Sequence, residues 1–166
     1  MSAEPDPVDA LIKAWRTELP EVLGPTSELA KRIMVLSAEL AAASKRELTA
    51  FGLTGAEFDV LATLRRSGKP YRLKPNELSR SLLLSTGGTS NVVNHLVSEG
   101  LVERAPDPDD GRSALISLTP KGVTLVEDAL RATSAAHAEV FATVPPAVLR
   151  AAFRSEERRV GKECRS

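Results

Sequence analysis

Residues 76–100 read N-E-L-S-R-S-L-L-L-S-T-G-G-T-S-N-V-V-N-H-L-V-S-E-G, and this stretch decides the fold. Its first part, Asn76 to Leu83, sets Leu78, Leu82 and Leu83 on one helical face. Gly87-Gly88 then breaks the chain. From Thr89 a second helical stripe of Val93, Leu96 and Val97 runs to a stop at Gly100 and continues to Leu101. Two short amphipathic helices about a tight glycine turn predict a helix-turn-helix. The polar remainder around the second helix is Ser85, Thr86, Thr89, Ser90, Asn91, Asn94 and His95. A solvated helix face usually mixes Glu and Lys, but this one is short, uncharged and rich in hydrogen-bonding groups. Such side chains suit a helix whose N-terminus approaches a nucleic-acid groove, where backbone N–H groups grip phosphate and side chains reach base edges.

Downstream, Ala105-Pro-Asp-Pro-Asp-Asp-Gly-Arg-Ser113 lies between two short apolar runs. That spacing predicts a β-hairpin, and a hairpin directly after a recognition helix is a wing. Arg112 at its tip suits the narrow minor groove, where the negative potential is strongest. The aspartates would bond the turn backbone and steer the guanidinium. A calcium loop beginning at Asp107 fails on spacing, because Gly111 and Leu118 fall at the fifth and twelfth positions. From Thr119-Pro120-Lys121 a long helix is expected to about Val144, and Pro145-Pro146 opens a last one.

Upstream, Val8, Leu11, Ile12, Trp15 and Leu19 have helical spacing. A second helix is expected to open at Thr26-Ser27-Glu28 and to run through Leu29, Ile33, Leu36, Leu40 and Leu48 to Phe51-Gly52. Thr54 and Glu57 form a capping box for a third helix ending at Ser67-Gly68, and Tyr71-Arg72-Leu73 reads as extended. The fold class is therefore mainly α with a small β-hairpin wing, a winged helix-turn-helix within a helical frame. Arg72, Lys74 and Arg80 flank the first helix of the motif as candidate phosphate contacts.

The 166 residues carry 22 basic and 22 acidic side chains. A neutral chain is a poor polybasic, non-specific binder, although a locally basic face would still release counterions from phosphate. Cys164 is the sole cysteine, so neither a disulfide framework nor a Cys-based metal site is expected. No cofactor, metal cluster, catalytic constellation or nucleotide loop stands out, and an enzyme is not expected. No run reaches the ~20 apolar residues of a membrane span and no signal peptide is evident, so a cytoplasmic protein is expected. Arg154 to Ser166 lacks an apolar helical stripe and back-translates naturally as AGA TCG GAA GAG CGT CGT and onward, a sequencing-adapter sequence. The tail is accordingly expected to be foreign and to interrupt the last helix after Phe153. Without it the charge balance turns slightly acidic.

Taken together, Leu53-Thr54, Phe58 to Leu61, Asn76 to Ser79, Thr89 to Asn91, Leu96 to Arg104, Asp107 to Asp110 with Arg112, and Leu118 to Gly122 resemble the MarR family of bacterial transcriptional regulators. The resemblance covers about residues 28–144. It implies a homodimer that reads a pseudo-palindromic operator in double-stranded DNA, often as a repressor released by a small ligand. It implies dimerisation helices within 8–50 and 119–153, around a winged helix-turn-helix at 54–118. The recognition helix would be Thr86 to Gly100 and the wing Val102 to Leu118. Ser85, Thr86, Thr89, Asn91 and His95 would then read the major groove, and Arg112 the minor groove. Asp109 and Gly111 stand where this family commonly carries basic wing residues, which weakens the minor-groove grip. A winged-helix protein–protein module without DNA binding is the alternative.

Trp15 and Asp59 resemble ligand-binding positions of the family's urate-responsive branch, implying a small aromatic or phenolic ligand. That branch has an Arg where this chain has Val92. Read from the residues alone, Trp15 is more often a helix-packing anchor and Asp59 a partner at a helix start. His95 serves as a base reader, whereas a pH-sensing role needs an ionisable partner. His137 is expected at a dimer face or the surface.

Overall fold

The computed structural model describes residues 7–82, 88–107 and 110–163. Helix α1 is Pro7–Glu18, and a single 3-10 turn, Pro20–Val22, leads into α2, Pro25–Ala50. The start of α2 differs from expectation. Gly24 is its N-cap and Pro25 its first residue, because proline's fixed φ suits the first turn and the N–H it lacks would be unpaired there anyway. Ser27 instead donates its hydroxyl to the Val22 carbonyl.

Helix α3 is Gly55–Arg66. The Thr54 capping box is present: the Glu57 amide donates to Thr54 Oγ1 at 3.3 Å, and the Thr54 amide donates to Glu57 Oε2 at 2.7 Å. Strand β1 is only Arg72–Leu73, since Tyr71 has φ of 58° and cannot extend it. The helix-turn-helix follows as α4, Pro75–Ser81, and α5, Thr89–Ser98. The wing is β2, Val102–Asp107, and β3, Asp110–Leu118. Beyond it, α6 spans Pro120–Val140 and α7 spans Pro146–Glu163.

Two expectations fail here. The long helix stops at Val140 rather than Val144, and α7 runs through Phe153 to Glu163. Arg, Glu and Lys are good helix formers, so the charged tail continues a helix without an apolar stripe. Cys164 lies outside the described residues.

The hairpin also gains a strand. The sheet order is β1-β3-β2, with Arg72 opposite Ser117 and Leu73 opposite Ile116. Within the hairpin the register runs from Val102 opposite Leu118 to Asp107 opposite Asp110, with an irregularity at Pro106/Asp107.

The core joins these elements. Leu61, Leu64, Leu78, Leu96, Val60, Val93, Val102 and Val126 are fully buried, each worth about 1.5–3 kcal/mol. Helix α6 lies along α2 and α3, and Arg65 crosses from α3 to Glu127 at 2.7 Å while its guanidinium stacks 4.5 Å over the Tyr71 ring. The hydrogen bond from Arg65 holds the Glu127 carboxyl below its usual range. Helices α1 and α2 are bound by Arg16–Glu28 at 2.9 Å and by Arg32–Asp9, yet Trp15, Leu29, Ile33 and Met34 remain exposed.

Candidate nucleic-acid interface

The site is built on α5, a helix of 10 residues. Isolated helices shorter than about 12–15 residues are marginal in water, so its neighbours must hold it. Two of its residues, Val93 and Leu96, are buried. Val97, expected in the core, is 37% exposed, and Val92 packs against the core instead. The stripe is rotated toward Val92 on a helix that packs against α3 and β2. Leu82 is likewise only partly buried, and Leu83 lies outside the described residues.

Polar ties concentrate at the C-terminal half of α5. Arg104 of β2 donates to Asn94 Oδ1 at 2.8 Å. His95 Nε2 lies 3.3 Å from Glu57 Oε1 on α3. Lys121 Nζ donates to the Glu99 carbonyl at 2.8 Å, and Thr119 Oγ1 to the Gly100 carbonyl at 2.8 Å. A cation on the last carbonyls also suits the helix dipole. The N-terminal turn faces outward: Ser90 and Asn91 are exposed, Thr89 is half-buried, and Gly88 takes φ of 88° to start the helix. This half presents backbone amides, a hydroxyl and a carboxamide, the groups that grip phosphates and base edges.

Of the other expected site residues, Arg72 and Arg80 are exposed. Lys74 is engaged by the wing: its Nζ lies 2.7 Å from Asp107 Oδ2, and the Asp107 side chain is only 3% exposed. The pair ties the segment before α4 to the wing, so one of the aspartates shapes the loop through a lysine. Ser85 and Thr86 lie outside the described residues, as do Asp109 and the Arg112 side chain, while the Arg112 backbone is part of β3. Sequence reasoning missed Arg104 as a contributor. Its outward place in β2 was visible, but its reach to Asn94 depends on how the wing packs against α5.

A separate pocket of about 550 Å³ lies between α2 and α3, lined by Ser44, Lys45, Leu48, Phe58 and Asp59 among others. Burial pushes the Asp59 carboxyl up, with Arg66 opposing. Trp15 is not among the lining residues and stands 46% exposed on α1. His137, expected at a surface or dimer face, is half-buried and hydrogen-bonded to Ser44 at 2.6 Å. Among the described residues no group of three His, Cys, Asp or Glu side chains could hold a metal, and no helix is long and apolar enough to cross a membrane.

Comparison with known proteins agrees with this geometry. A family model described as MarR family matches residues 51–113, the span from the end of α2 into the wing. The HTH-type transcriptional regulator PecS of Dickeya dadantii (strain 3937) is 29% identical over 119 residues, 72% of each chain. The multiple antibiotic resistance protein MarR of Escherichia coli (strain K12) is 34% identical over 80 residues, 48% of this chain and 54% of that one. A crystal structure of a MarR mutant from E. coli complexed with operator DNA has the same fold, with a TM-score of 0.66 and 24% identity over 88% of this chain and 96% of that one. Residues 51–113 are thus similar to the MarR family of transcriptional regulators, and the fold is the winged helix-turn-helix of MarR crystal structures.

Proposed function

We propose that the protein is a dimeric repressor that binds a pseudo-palindromic operator and is released by a small ligand. The observation that carries the reading is the division of α5, clamped at its C-terminal half and exposed at Ser90 and Asn91. In this reading α5 enters the major groove with Ser85, Thr86, Thr89 and Asn91 toward the bases. Arg112 reaches the minor groove, and Arg72 and Arg80 meet phosphates. The exposed apolar side chains of α1, α2 and α7, among them Trp15, Ile33, Met34 and Phe153, would be covered by a second copy. Two half-sites one helical turn apart need that dimer. The α2/α3 pocket suits a small aromatic or phenolic anion, with Phe58 and Leu48 against the ring and Lys45 supplying the charge that Val92 does not. Asp59 lines it as well.

Selection of operators from random duplex DNA, followed by fluorescence anisotropy at several salt concentrations, tests the reading. Specific binding should fall steeply with salt, and Arg112→Ala should weaken it by about 1–3 kcal/mol. No bound duplex from the selection, with a monomeric chain in solution, would refute the proposal in favour of a protein-binding module. Isothermal titration calorimetry with phenolic and purine anions tests the pocket, and no binding heat at millimolar ligand removes it.

A further inference from the structure

Glu57 does two things with its two oxygens. Oε2 accepts from the Thr54 amide and from the Thr54 hydroxyl, both at 2.7 Å, and completes the capping box of α3. Oε1 faces His95 Nε2 at 3.3 Å. The Glu57 side chain is only 9% exposed. A capping box needs one oxygen, and glutamine serves as well as glutamate. The carboxylate charge is therefore surplus to capping, and a buried charge is costly unless it is paired. The nearby partner is on the recognition helix itself.

Charged groups from several elements surround the imidazole. Facing the same depression are Glu57 from α3, Glu99 one turn along α5, and Lys121 from α6, whose ammonium is bound to the Glu99 carbonyl. Phe51, Leu53, Leu101 and Leu125 close the rest with apolar groups. With two carboxylates against one ammonium, a proton on His95 turns a weak contact into a charge-assisted one. His95, at 58% exposed, stays accessible to solvent protons, and histidine is the side chain suited to switch between pH 5 and 8.

We propose that Glu57 is a positioning residue for the recognition helix, binding protonated His95 so that operator affinity rises as the pH falls through the histidine range. The proposal rests on the DNA-binding reading above, and it reassigns His95 from base reader to tether. Neutral His95 leaves α5 held by Arg104, Thr119 and Lys121. Protonated His95 adds a hold from α3, midway along the helix, and fixes the angle at which Ser90 and Asn91 are presented.

Two readouts on the full chain test it. The first is NMR of the His95 ring, with His137→Gln assigning the two histidines. The ring resonances should shift between the wild type and Glu57→Gln, which keeps the cap. Unshifted resonances overturn the pair. The second is operator affinity at pH 6 and pH 8. The wild type should bind about tenfold tighter at pH 6, the scale of a hydrogen bond gaining a charge, and both Glu57→Gln and His95→Gln should lose that difference. If Glu57→Gln does not fold, His95→Gln supplies the same comparison. Loss of affinity in His95→Gln by one factor at both pH values, with Glu57→Gln unchanged, overturns the tether and restores the base reader. Shifted ring resonances with no operator binding at either pH refute the DNA-binding reading and the affinity claim with it, while the contact stands.

Discussion

Gly122→Ala tests how the recognition helix is joined to the frame. Gly122 sits in the first turn of α6, where its amide donates to Thr119 Oγ1 at 3.1 Å. A Cβ built there would lie 2.0 Å from the Leu101 carbonyl oxygen and 3.3 Å from a Leu118 methyl. Carbon–oxygen contacts settle at about 3.3–3.6 Å, so backbone must separate from backbone by about an ångström. The obstacle cannot rotate away, since the Leu101 oxygen accepts from the Thr119 amide at 3.1 Å. Overpacking of this kind costs about 1–3 kcal/mol, and loss of the Thr119 cap adds about 1 kcal/mol. The better helix propensity of alanine offsets about 1 kcal/mol. The net is a destabilisation of about 1–3 kcal/mol, and at about 2–4 °C per kcal/mol for a chain of this size the Tm should fall by roughly 2–12 °C.

Differential scanning calorimetry reads this directly, and Gly55→Ala supplies the internal control. Gly55 is also in a first helical turn, has no neighbour within 4 Å of a built Cβ and has no positive φ. Its replacement should leave the Tm unchanged or raise it. A Gly122→Ala protein melting at or above the wild type would refute the reasoning, because propensity would then outweigh the contact with Leu101.

Two further predictions concern charges. Lys74→Met should destabilise the fold by about 1–3 kcal/mol, the scale of a buried polar group losing a partner, and adding Asp107→Asn should recover part of it. The salt dependence of operator binding should be unchanged in Lys74→Met; a log–log slope smaller by about 0.9 would make Lys74 a phosphate contact instead. Asp59 has its carboxyl raised above the ordinary value of 3.8 by burial. Its folded form therefore holds a proton longer than its unfolded form, and the stability cost is absent below pH 3.8 and complete above the raised value. Asp59→Asn should raise the Tm at pH 7 and not at pH 3.5, and an equal change at both pH values would dismiss burial as the cause.

The elements were legible because each is written locally. Thr54 with Glu57, the glycine turn before Thr89 and the aspartate-rich loop announce themselves over a few residues. What holds the site was not legible, since its partners are distant in the chain. Glu57 reads as a cap and nothing more until α5 packs beside α3. Lys74 reads as a phosphate contact until the wing folds back and buries Asp107. Val97 reads as core because its spacing fits, but the face a short helix buries is set by tertiary packing, and Val92 packs against the core instead. The α7 boundary failed for the opposite reason: Arg and Glu carry helix propensity without carrying an apolar face.

A reading helix faces a conflict that the structure resolves by division. The first turn of α5 must stay accessible to DNA, so it contributes little to packing, and only Val93 and Leu96 are left to bury. The remaining hold comes from groups that never meet DNA in the proposed mode: Arg104 from the wing, Thr119 and Lys121 from the start of α6, and Glu57 from the cap of α3. Operator affinity should therefore be as sensitive to the α6 start as to the reading face itself. The two are separable by assay, because a change at Asn91 should alter sequence preference while a change at Lys121 should weaken all sequences alike.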